Sequence, residues 1–218
     1  MNTNIPLKSS AENDPVALTE FQLDALAETF NMSLGEAAAI FSQIVSEEIK
    51  LSVPIVELLC QKDLAPRMIA IRGNRSQERL CGITQHFTTK DSFNTDTMLI
   101  FSEHGSLEII RRMLGSTANV ESITELEQDA LAEIGNIIIN GCMSTISNLF
   151  QKPSLGTLPC VATNTADALF ASRSSDHVLL VKIGMHLASQ NIDGYVLFLM
   201  DVDSIRHFVK EVEQVFKA

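Results

Sequence analysis

Residues 124–136 read TELEQDALAEIGN, and residues 19–31 read TEFQLDALAETFN. Helical residues are about 100° apart around the axis, so positions four and seven further on return to nearly the same side. One face of the later stretch therefore carries Asp129, Glu133 and Asn136 in a row, and one face of the earlier stretch carries Asp24, Glu28 and Asn31. Between them lie Ala130, Leu131, Ala132 and Ile134, good helix formers or apolar residues that need a core. Thr124 with Glu127 three places on predicts a capping box at the helix start.

On one copy alone, a solvated face of an amphipathic helix is the plainer reading. The second copy changes the weighing. Asp24 to Asp129 is an offset of 105, and at that offset eight of the thirteen residues match. Over the following 22 residues only Ser42 and Ser147 match, and then Pro54 and Pro159 coincide again. Packing alone would retain apolar positions. Retention of an exposed polar triad points to chemistry at that face.

The pattern Asp, three residues, Glu, two residues, Asn, 22 residues, Pro resembles the signature of the CheC/CheX/FliY family of chemotaxis phosphatases. It is met at Asp129, Glu133, Asn136 and Pro159, and again at Asp24, Glu28, Asn31 and Pro54. Two intact copies are more similar to CheC than to CheX. The resemblance implies an α+β fold: an internally duplicated, pseudo-two-fold domain with a shared, largely antiparallel sheet and long surface helices carrying the motifs. It also implies a phosphatase, a hydrolase acting on the aspartyl phosphate of a phosphorylated CheY-like response regulator in two-component signalling; the want of a signal-peptide core and of a membrane-length apolar run separately predicts a cytoplasmic protein. In that reading Asn31 and Asn136 position water, and Glu28 and Glu133 engage the basic side of the receiver's active site. Asp24 and Asp129 support them, while Pro54 and Pro159 shape the strand beside each motif helix. The chain would need no cofactor of its own. Mg2+ is expected in the partner receiver, and a CheD-like activator is a further possible partner. The alternative is a non-enzymatic CheC-like binding module that docks response regulators or other chemotaxis and flagellar-switch proteins.

The sequence departs from the family in two places. Four residues after the Asn, where relatives carry Gly, the first copy has Gly35 but the second has Asn140. Before the Asn, the first copy has Phe30 where the second has Gly135, so Phe30 is expected to crowd the first site and leave the second more active.

The rest of the chain sets bounds. It has 218 residues, 45% hydrophobic and 20% charged, enough to bury a sizeable core. A net charge of −11 argues against nucleic acid and anionic membrane surfaces as partners. No apolar run approaches the ~20 residues that span a bilayer, and the N-terminus lacks a signal-peptide core. Cys60, Cys81, Cys142 and Cys160 fall in or beside apolar runs without metal-type spacing, which predicts buried, reduced thiols. The five histidines are scattered, and Met143 reads as core.

Residues 1–17 read as a flexible tail, and 18–218 as one domain of two repeats, about 18–115 and 123–216. In the first, a helix is predicted from Leu18 to Glu48, then a Pro-broken strand, a strand at 68–73 (MIAIRG), strands at 79–87 and 96–103, and a helix over 106–115 stopped by Gly115. After the linker STANVES, the second repeats the order: a helix over 124–150, a Pro-bearing strand near 155–161, a helical turn at 165–172, strands at 177–187 and 194–201, and an amphipathic helix over 203–216 with Asp203 as its N-cap.

Overall fold

The computed structural model describes residues 18–73, 77–113, 123–171, 177–187 and 192–217. The tail 1–17, Gly115, the linker and the side chain of His177 lie outside the described residues.

The two motif stretches open two long helices, α1 (Glu20–Val45) and α4 (Glu125–Phe150), each of 26 residues. Both begin with a reciprocal cap. At α1 the Gln22 side chain accepts from the Thr19 N–H at 2.8 Å, and the Gln22 N–H donates back to the Thr19 hydroxyl. At α4 the Glu127 carboxylate accepts from the Thr124 N–H at 3.0 Å and from its hydroxyl. These bonds satisfy donors that a helix start leaves orphaned. Both helices end on a left-handed residue, Ser46 and Gln151, each at φ 54°. The buried side of α1 is Leu26, Phe30, Leu34, Ala37 and Phe41, and that of α4 is Leu131, Ile134, Ile138, Cys142 and Ile146.

After α1 come β1 (Ile49–Leu51), β2 (Ile55–Cys60), α2 (Gln61–Ile71), β3 (Leu80–Thr89), β4 (Asn94–Ser102) and α3 (Glu103–Met113). After α4 the same order returns as β5 (Ser154–Gly156), β6 (Cys160–Asn164), α5 (Ala166–Phe170), β7 (His177–Leu187), β8 (Ile192–Met200) and α6 (Val202–Lys217). The strands form one antiparallel eight-stranded sheet in the order β1-β7-β8-β4-β3-β5, with β2 continuing along β7 and β6 along β3. The halves are interleaved. The short strands β1 and β2 of the first half lie on β7 of the second, and β5 and β6 of the second lie on β3 of the first. The seam between the halves is the β4–β8 pair.

Helices cover both faces of this sheet. On one side α1, α4, α3 and α6 enclose the larger core, where Phe30 lies 4.6 Å from Phe198 and 5.4 Å from Phe208, ring centre to ring centre. On the other side α2 and α5 contribute Leu64, Met68, Ala166 and Phe170 against Leu80, Ile100, Leu180 and Leu199. The strand side chains alternate between the two cores: Cys81, Ile83 and Phe87 of β3, and Leu179, Val181 and Ile183 of β7, face the long helices. This is the α+β, pseudo-two-fold, antiparallel architecture expected from the sequence.

Three local expectations are corrected. The run MIAIRG is the last turn of α2 and the turn that follows it, not a strand. Four consecutive apolar or small residues fit either state, and the i, i+4 pair Leu64 and Met68, both fully buried, settles it. The N-cap of α6 is Asp201, whose carboxylate accepts from the Ser204 N–H at 2.7 Å; Asp203 instead pairs with Arg206. The thiols Cys81 and Cys142 are buried, and burial pushes the Cys142 pKa up to about 12, but Cys60 is half-buried and Cys160 is exposed.

Candidate functional site: twin triads on adjacent helices

The helices α1 and α4 pack side by side. The Thr145 hydroxyl donates to Glu36 at 2.9 Å, and Gly141 faces Ala37 with room for a Cβ at 3.5 Å, so contacts that ascend α4 descend α1 and the pair is antiparallel. Their polar faces point away from the sheet. Asp24, Glu28 and Asn31 are all exposed, as are Asp129, Glu133 and Asn136. The structure thus brings both predicted triads to one side of the protein, on neighbouring helices.

Pro54 and Pro159 sit in the breaks between β1 and β2 and between β5 and β6. A proline lacks the N–H that a ladder needs, so each pairing is interrupted there. The residue two places before each proline anchors the break. The Ser52 N–H donates to the Gly184 carbonyl at 2.9 Å and the Gly184 N–H returns a bond to the Ser52 hydroxyl at 2.8 Å. Thr157 makes the same exchange with His86, at 2.9 and 3.1 Å.

Sheet register identifies which strand residues correspond. Val56 pairs with Val181, and its counterpart Val161 pairs with Ile83. Val181 therefore corresponds to Ile83, and two residues along Ile183 corresponds to Gln85. Here the halves part. Gln85 is 2% exposed, a polar side chain between Ile83 and Phe87 in the row that faces the apolar core. Its Nε2 donates to the Asn136 Oδ1 at 3.1 Å and to the Thr157 carbonyl at 2.9 Å. Asn140 closes the arrangement from the helix: its Nδ2 donates to both the Asn136 Oδ1 and the Asn136 carbonyl, each at 2.7 Å. At the other site the counterparts are Ile183 and Gly35, and neither has a side-chain donor.

A second difference lies one residue before each Asn. A Cβ on Gly135 would stand 2.3 Å from the Ile83 Cγ2, so the missing side chain lets α4 settle onto β3. Phe30 occupies that position in α1 and fills the space beneath it with a ring. α1 accordingly makes closer contact with β1 and β2 than with β7, whereas α4 rests on β3 itself. This corrects the expectation at Phe30: the ring is fully buried and crowds nothing at the surface, and Gly135 opens space toward the sheet, not toward a partner.

Gln85, Thr157 and the supporting role of Asn140 were missed in the sequence. The one available signal was a lone amide at a core-facing position of a strand, Ile83-Thr84-Gln85-His86-Phe87. The break loops also carry exposed apolar residues at matching places, Val53 at 79% and Leu158 at 90% exposure. Among the described residues no group of three or more His, Cys, Asp or Glu is placed to hold a metal ion, and no helix is long and apolar enough to cross a membrane.

A comparison with protein-family profiles finds no match. The chain is 22% identical over 199 residues to the CheY-P phosphatase CheC of Bacillus subtilis, covering 86% of this chain and 91% of that one. Its fold is similar to that of Thermotoga maritima FliY, with a TM-score of 0.70, 18% identity, and 93% and 98% of the two chains covered. It is also similar to a chain in the complex of CheX with CheY, BeF3 and Mg2+ from Borrelia burgdorferi, with a TM-score of 0.56, 12% identity, and 79% and 97% covered. The likeness in sequence and the likeness in fold both run along most of the chain, and both are to members of the CheC/CheX/FliY family, which this protein resembles.

Proposed function

We propose that this protein is a phosphatase that hydrolyses the aspartyl phosphate of a CheY-like response regulator, with Asn31 and Asn136 at two catalytic sites. The observation that carries this reading is the pair of exposed, equally spaced triads on one side of the molecule. The similarity to a curated CheY-P phosphatase supports it, as does the fold likeness to a protein solved in complex with CheY.

An acyl phosphate is already activated, and Mg2+ on the receiver would offset the phosphoryl charge. The remaining task is to hold a water in line with phosphorus. A carboxamide suits this because it carries no charge for the phosphoryl oxygens to repel and both donates and accepts. Glu28 and Glu133, one helical turn before each Asn, would fix register through a charge-assisted contact with a basic receiver group. Asp24 and Asp129 extend the same face by another turn. Val53 and Leu158 would add apolar contact beside it.

The test is decay of a phosphorylated cognate receiver with and without the protein. The expected result is faster decay, lost by ~10²–10³ in rate when both amides are removed in the Asn31→Ala, Asn136→Ala double variant, while the chain stays folded because both side chains are exposed. Unchanged decay with wild-type protein at saturating concentration, despite receiver binding, would instead make it a docking module.

A further inference from the structure

We infer that Gln85 and Asn140 are positioning residues that lock the Asn136 carboxamide in one orientation. The second site then meets its substrate only through the Asn136 Nδ2, while Asn31 keeps a rotating amide. This rests on the phosphatase reading for its consequence, but not for the lock itself.

The orientation follows from the partners. Oxygen and nitrogen of an amide look alike in shape, so hydrogen bonding must assign them. Here both assignments end on backbone carbonyls, which only accept. The Thr157 carbonyl requires a donor from Gln85, so the atom facing it is Nε2, and that same atom reaches Asn136. The Asn136 carbonyl requires a donor from Asn140, so that atom is Nδ2, and it too reaches the Asn136 side chain. Two donors converge on one atom of Asn136, which must be its oxygen. A carbonyl oxygen has two lone pairs, and both are engaged. The Asn136 Nδ2 is left facing outward. The Gln85 Oε1 is buried without a partner, a cost that marks this side chain as held for something other than packing.

The chemical consequence is a division between the sites. Asn136, with its oxygen engaged, donates to a phosphoryl oxygen or to the water's oxygen and does not accept the water's proton. Asn31, between Gly35 and a strand residue without donors, has both ends of its amide available. Fixing the Asn136 side chain beforehand removes the loss of rotamer freedom that Asn31 incurs, after docking, in reaching the transition state.

The experiment converts the second site into the first. Gln85→Ile installs the residue found at the corresponding position 183, and Asn140→Gly the one found at 35. Each is measured in an Asn31→Ala background, where turnover comes from the Asn136 site, and in an Asn136→Ala background, where it comes from the Asn31 site. The expected result is a three- to tenfold fall in decay rate at saturating protein in the first background, with the half-saturating concentration moving less than twofold, and a fall of less than about 1.5-fold in the second. An equal fall in both backgrounds would show a structural effect and overturn the proposal; so would no fall in the first. The side-chain amide resonances of Asn136, read by nuclear magnetic resonance on the free protein, give an independent answer. Gln85→Ile and Asn140→Gly should each shift and broaden them, and unmoved signals would overturn the lock. If no background accelerates decay, the phosphatase reading fails, and the amide signals still decide the lock. Should Gln85→Ile fail to fold, Asn140→Gly tests the same oxygen from the helix side.

Discussion

At position 30 the first motif helix carries a ring, and at position 135 the second carries no side chain at all. The other differences between the two sites, Gln85 against Ile183 and Asn140 against Gly35, are arranged around this one. The ring of Phe30 fits between Phe198 and Phe208 and props α1 above its strand. The bare backbone at Gly135 drops α4 onto Ile83, and Gln85, one side chain further along that face of β3, then comes within reach of Asn136. A triad identical in residues and spacing is thus free at one end and braced at the other. Duplicated motifs are not duplicated sites. What a helix presents to a partner depends also on how deeply it sits on the sheet behind it.

Three substitutions sharpen or break this comparison. The largest effect is expected from Phe30→Ala, which empties the space under α1. Loss of a buried Phe typically costs ~3–5 kcal/mol, and urea unfolding monitored by circular dichroism should show a destabilisation of that order. A loss below ~1 kcal/mol would mean that α1 settles onto β7 as α4 does on β3. Next is Gly135→Ala. Its Cβ would meet a branched side chain at 2.3 Å, and Ile83 is stiff at χ1, so the helix must lift. Overpacking of this kind costs ~1–3 kcal/mol in the same measurement. The lift should also carry Asn136 away from Gln85, giving the amide spectrum of the Gln85→Ile variant.

The smallest effect concerns the caps. The first helix is capped through neutral Gln22, the second through Glu127, whose carboxyl is held below the usual range chiefly by the Thr124 hydroxyl. A depressed folded pKa means the contribution is present above the unfolded value of about 4.3 and lost as pH falls through the folded one. Glu127→Gln should therefore lower Tm at neutral pH and converge with wild type in acid. A constant difference across that range would show that the charge plays no part.

Much of this was legible in the sequence, for identifiable reasons. The strand at 177–187 was bounded residue for residue because its apolar run is long and lies between the polar sequences SRSSD and SQN. The helices of the two copies were legible because 3.6-residue periodicity runs along both faces and, at Thr124, the capping pattern agrees with it. The helix at Gln61–Ile71 was misread because its apolar residues cluster at its end, while the two that anchor it, Leu64 and Met68, straddle Pro66. The bracing of Asn136 was hidden for a different reason. The motif helices and break strands repeat at an offset of 105, but Ile83 and Val181, matched by pairing register, are 98 apart. At the fixed offset Gln85 falls opposite Gln190 and looks like one more repeated residue. Only the register of the sheet reveals that its counterpart is Ile183.

The exchange of strands between the halves bears on how such a chain can hold together. Neither half owns a complete sheet. A single half would leave β4 with an open edge, and β3 without the short strands that cover it. Two copies of one half, meeting about a two-fold axis, would close both gaps in the manner of a strand-swapped dimer. Such a dimer would weaken on dilution, because its folding is tied to protomer concentration. Joining the halves in one chain replaces that concentration by an effective one, on the order of millimolar for a short linker, which dilution does not change. It also frees the two motif helices from having the same sequence. An unlike pair such as Phe30 and Gly135 is open to a fused chain and closed to a symmetric dimer.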